Sequence, residues 1–213
     1  GNLILANWRL LMVLSPFAAF LPRGEGVVTL GEQVKKSAGL GWEVTRDKHG
    51  KVDHAHKAWR PFWRNEHWHN APAQQKYYWH PGETVAMSLH VVASNKLRLT
   101  ISDLGDKPRR KFTTTLDASG FGTKRDTFFK RVDAIDQSGT EGKHVRHSAS
   151  HINGTTWSET TLITAGGGDQ AMMPGFRKVI DDPPAHVKIV STRQQRLHGG
   201  ESIAINASKK KAH

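Results

Sequence analysis

Apolar and polar side chains alternate most clearly over residues 84–92, where Val85, Met87, Leu89 and Val91 share one side and Ala86, Ser88 and His90 the other. A period of two is the mark of a strand with one buried face. After a turn at Ser94-Asn95, Leu97, Leu99 and Ile101 alternate with Arg98, Thr100 and Ser102, which predicts the returning arm of a hairpin. Further strands are predicted over residues 26–30, 39–45, 58–64, 110–116, 128–135, 157–163, 187–191 and 202–205. Turn-rich segments separate them, among them Asp47-Lys48-His49-Gly50, Ala118-Ser119-Gly120 and Asp182-Pro183-Pro184. No stretch sustains a 3.6-residue period with caps, and no alternation of strands with helices suggests a parallel sheet.

Many short strands at similar spacing predict an all-β, two-sheet antiparallel sandwich. Residues 1–213 show no repeat, linker or break in composition, so a single domain is expected. The Trp/His-rich region of residues 54–80 is expected to be an inserted loop system within it. The most apolar segment, residues 10–21, is shorter than the roughly 20 residues a membrane-spanning helix needs, and Pro16 interrupts it. It is expected to be a buried first strand with its turn, with a retained targeting segment as the alternative.

Seven Trp and eight Phe supply a large area to bury between two sheets. The absence of Cys excludes disulfides, thiolate metal sites and a cysteine nucleophile. The net charge of +12, spread along the chain, favours a polyanionic partner without naming one. No RNP, zinc-finger or helix-turn-helix pattern is present, so nucleic acid is not the expected partner.

Four segments, in this order, resemble secreted bacterial β-sandwich proteins of the concanavalin-like lectin/glucanase type. They are Ser37-Ala38-Gly39-Leu40-Gly41-Trp42-Glu43, Trp59-Arg60-Pro61-Phe62-Trp63, Pro81-Gly82-Glu83-Thr84-Val85 and Lys130-Arg131-Val132-Asp133-Ala134-Ile135-Asp136-Gln137. The resemblance implies a jelly-roll with a concave face, a glycan ligand and a secreted or cell-surface location. It supplies no catalytic set, because the paired glutamates of such glucanases are missing around Asp133 and Asp136.

Residues three apart on a regular strand face opposite ways, so Asp133 and Asp136 make a poor acid/base couple for glycoside hydrolysis, short of a bulge. A lyase could use Arg131 with Gln137, Tyr77 or Tyr78, and one of His80, His144 or His147, the cation neutralising a uronate. His54/His56 and His67/His69 have the spacing of same-face ligands on a strand, but no HExxH pattern completes a metal site and none is expected. No cofactor motif is present either.

The densest candidate is aromatic. Sugar rings stack on exposed aromatic faces while polar neighbours bond their hydroxyls. Trp42 and Trp59 are expected in the core, and Trp63, Trp68 and Trp79, flanked by Arg64, His67, His69 and His80, are expected to be exposed. The expectation is therefore a carbohydrate-binding, lectin-like domain for an anionic wall or matrix polysaccharide. Its ligand-binding residues would be Trp63, Trp68, Trp79, Tyr78, His67, His69 and Arg131, with no catalytic residue. A lyase or hydrolase of the same fold, and a purely structural domain, are the alternatives.

Overall fold

The computed structural model describes residues 7–13, 25–30, 36–65, 67–119, 121, 129–134, 151–163, 169–171 and 187–206. Their architecture is all-β, in antiparallel sheets. β1 (Asn7–Val13), β6 (Thr84–Ala93), β7 (Lys96–Asp103), β8 (Lys111–Asp117), β10 (His151–Ile163), β11 (Asp169–Ala171), β12 (Val187–Val190) and β13 (Glu201–Asn206) form one eight-stranded sheet. Its order is β12-β13-β10-β1-β6-β7-β8, with β11 beside β10. The other sheet has five strands: β5 (Trp68–Asn70), β4 (Val52–Arg64), β3 (Lys36–Arg46), β2 (Glu25–Leu30) and β9 (Phe129–Ala134), in that order.

Alternation decides what lies between the sheets. Val85, Met87, Leu89 and Val91 of β6, Leu97, Leu99 and Ile101 of β7, and Phe112 and Leu116 of β8 are buried. They pack with Ala38, Leu40 and Trp42 of β3 and Trp59 of β4, together with Trp157 and Ile203. Burial of this apolar area, worth about 25 cal/mol per Å2, is the main force holding the layers together. The predicted β6–β7 hairpin is present, and Asn95 takes the left-handed conformation at φ 59° that its tight turn requires.

The region of residues 54–80 departs from expectation. Its first part, residues 54–64, belongs to the thirteen-residue β4, which pairs with β3 and extends the expected strand at residues 58–64. Pro61 shapes the remainder. Its carbonyl accepts from the Ala71 N–H at 2.8 Å, but its nitrogen offers no donor in return, so β5 ends at Asn70. The chain then makes a 3-10 turn at Gln75–Tyr77 and rejoins β4 through paired Trp59 and Trp79 backbone bonds of 2.8 and 2.9 Å.

β1 overlaps the expected first strand at residues 10–13, and residues 14–21 lie outside the described part. The sequence reading missed the helix α1 (Arg193–Leu197), whose Thr192 and Gln195 form a capping box. Among the described residues, no helix is long and apolar enough to cross a membrane.

Candidate functional site

Residues 58, 60, 62 and 64 of β4 face away from the core, beside Gly39, Gly41 and Glu43 of β3. Arg60 pairs across the strands with Glu43, Nε to Oε1 2.7 Å. The Nε–H is not aimed along that line, so the contact is charge pairing more than an aligned hydrogen bond. Phe62 is fully buried although it faces outward. Gly41 lies beneath the ring, where a Cβ would stand in ordinary van der Waals contact with it at 3.6 Å.

Trp68 covers Phe62. Their rings stack at 4.3 Å and 8°, and the Trp68 Nε1–H donates to Asn70 Oδ1 at 3.0 Å. A ring contact and a hydrogen bond therefore fix the indole plane, while 36% of the residue stays exposed. Arg64 sits opposite Trp68 in register, and His67 and Asn70 are exposed beside it. The result is an oriented aromatic platform with an amide and a guanidinium within its own strands and exposed His67 next to it in the chain.

The other expected site residues are not gathered there. Trp63 shares the inward row of β4 with Trp59 and stacks on Phe112 across the core at 5.7 Å. Exposed His69 lies over Trp63 at 5.2 Å and 12°, at the edge of that row. Trp79 and Tyr78 are fully buried, which corrects the expectation of an exposed Trp79 and removes both rings from any ligand's reach. Tyr78 accepts from the Arg46 N–H at 3.1 Å. Burial pushes its phenol up, against the opposing pull of that bond. Arg131 belongs to β9 opposite Val28, and its side chain lies outside the described part, as do Asp136, Gln137, His144 and His147.

The sequence reading also missed a charged clamp at the end of the β6–β7 pair. The Arg110 guanidinium contacts Glu83 at 2.9 Å and Asp103 at 2.8 Å, donates to the Tyr78 carbonyl, and lies 5.2 Å from the Trp79 ring centre. Asp103 also accepts from Trp79 Nε1–H, and Glu83 from the His80 N–H. Burial pushes both carboxyls up, but the Arg110 bonds and charge, with these further donors, hold them below their ordinary range. A cleft of about 410 Å3 adjoins the clamp, rimmed by Leu104, Lys107 and Arg109. Among the described residues, no three His, Asp or Glu side chains come together as metal ligands. Exposed His56 is paired with Asp53 at 2.7 Å.

No protein-family model matches the chain, and no curated protein matches it. Among solved structures it is similar to scytalido-glutamic peptidase with a transition state analog inhibitor. That similarity has a TM-score of 0.57 at 11% identity and covers 94% of this chain and 92% of that one. The same peptidase with a peptide based transition state analog aligns at a TM-score of 0.54 and 9% identity, over the same shares of each chain. These comparisons show a shared β-sandwich fold, one that in those proteins carries a peptidase.

Proposed function

We propose that the protein is an extracytoplasmic carbohydrate-binding sandwich, a single domain that holds a polysaccharide chain, anionic in character, at the exposed Trp68 end of the five-stranded sheet. The observation that carries this reading is Trp68, an exposed indole held flat by Phe62 and Asn70. A ring fixed before the ligand arrives loses little rotamer freedom on binding. The Asn70 amide and the His67 imidazole supply hydroxyl partners, Arg64 supplies a cation for a carboxylate or sulfate, and the chain's +12 charge supports the choice of a polyanion. Function is argued from this site, because a sandwich alone hosts many activities.

The fold likeness favours a second reading, a glutamate-dependent hydrolase. Glu43 lies on the same face, its carboxylate 2.7 Å from Arg60 Nε, and it is the candidate acid/base residue of that reading.

Incubation with neutral and anionic polysaccharides and with unstructured peptides, following retention and product formation in the same tubes, separates the two. Retention on a polyanionic glycan without products is expected. Trp68→Ala is expected to weaken it about tenfold, the scale of one lost stacking contact. Peptide fragments that disappear in Glu43→Gln would establish the hydrolase instead.

A further inference from the structure

β8 is the last strand of the eight-stranded sheet. It pairs with β7 without a register break from Lys96↔Asp117 to Ser102↔Lys111. Among the described residues no strand pairs with its other side. An edge of this kind presents a row of backbone donors and acceptors to any extended segment that fits. Its seven residues contain no proline, no bulge and no inward-pointing charge, the usual means of spoiling an edge.

Its sequence, Lys-Phe-Thr-Thr-Thr-Leu-Asp, is its own complement when reversed. Set antiparallel to a second copy about a twofold axis at Thr114, Lys111 falls opposite the partner's Asp117, Phe112 opposite the partner's Leu116, and Thr113 opposite the partner's Thr115. Residues directly opposite lie on the same face. Lys111, Thr113, Thr115 and Asp117 are all exposed, and buried Phe112 and Leu116 would continue the two cores into each other. Thr114, on the inward row between those apolar residues, is only half-buried and would meet its own copy on the axis. Shifting the register by two residues in either direction separates the opposite charges and sets threonine against Phe112 or Leu116. Asp117 already contacts Lys96 in its own chain, but 71% of its side chain is exposed, and a carboxylate accepts from more than one cation.

We propose that the protein self-associates through β8 in this register, joining the eight-stranded sheets of two copies into one. The interface is isologous, so every cross-strand ion pair occurs twice and every change is felt twice. It is narrow, and the association is therefore weak and reversible.

Sedimentation of the full chain between about 1 µM and about 1 mM should show a monomer–dimer equilibrium that weakens with added salt. Lys111→Asp places two acidic pairs in the interface, and Asp117→Lys two basic pairs. Each variant alone should dimerise at least about tenfold more weakly. Mixed together, the two variants should form a heterodimer, because each supplies the charge that the other needs. Misfolding of either variant could not produce that recovery. The double swap within one chain should dimerise like the unaltered protein. A wild-type chain that stays monomeric at every concentration, or variants that fail to recover on mixing and in the double swap, would overturn the proposal.

Discussion

Trp63 and Trp68 lie five residues apart, and the structure gives them opposite tasks. Trp63 is the fourth residue after Trp59 on one strand, so a core position for Trp59 implies an inward Trp63; the structure places Trp59 in the core and Trp63, partly buried, against it, which corrects the expectation of an exposed Trp63. What was not legible was the covering of an outward Phe62 by Trp68, because that depends on β5 folding back beside β4. The two tryptophans should separate in experiment. Trp63→Ala removes a ring packed on Phe112 and should destabilise the fold by about 3–5 kcal/mol. Trp68→Ala should leave the thermal midpoint nearly unchanged while impairing ligand retention, and thermal melts beside binding assays check both. Asn70 belongs to the same unit, since its carbonyl orients the indole.

At the scale of elements, the Arg110 clamp and the Gly200 crossing each depend on contacts across strands that are distant in sequence. Glu83 precedes β6, Asp103 ends β7 and Arg110 precedes β8, so the clamp fastens the open end of three adjacent strands. Breaking a pair of this kind costs several kcal/mol when it is buried. Here partial solvent exposure reduces the expected loss for Arg110→Ala to about 2 kcal/mol. Both carboxyls have depressed values in the folded state, so their stabilisation is full above the unfolded carboxylate range near about pH 4 and is lost as pH falls through the lower folded values. The stability gap between wild type and Arg110→Ala, measured by denaturant titration, should therefore be widest near neutrality and close toward about pH 3.

Gly200 follows α1 where the chain turns into β13, and its N–H donates to the Gln195 carbonyl at 2.7 Å. A Cβ there would stand 2.4 Å from the Trp157 carbonyl oxygen and 2.5 Å from that of Ser158. Backbone atoms of a central strand cannot move aside cheaply, so Gly200→Ala should cost more than about 2 kcal/mol in chemical denaturation. Nothing in the local sequence announces this constraint. By contrast, the Thr192/Gln195 capping box is a local sequence signal for the short helix.

For the whole molecule, the hydrophobic alternation carried the all-β class and most strand positions, since each strand's pattern is local. Which strand lies beside which is set by long-range pairing and could not be read from the same pattern. The charge of +12 is legible at once, and its consequence is testable at this scale. Retention on an anionic polysaccharide should fall steeply as ionic strength rises past the point where the Debye length shrinks below about 8 Å. Retention on a neutral glycan would hardly change. Two copies joined through β8 would carry two Trp68 platforms on one particle, so avidity on a repetitive polymer would exceed that of a single site.

The position of β1 governs how the chain can reach this state. The first strand lies between β6 and β10, with Trp8 opposite Leu89 on one side and opposite Leu162 on the other. A nascent chain therefore makes β1 long before β10 exists, and the larger sheet closes only after β10 and β13 have been made. Such long-range pairing makes folding slow, and it leaves an apolar strand waiting in the meantime. Synthesis of this protein accordingly includes an interval in which the seven residues of β1 are exposed to chaperones or to aggregation, a vulnerability created by topology rather than by final stability.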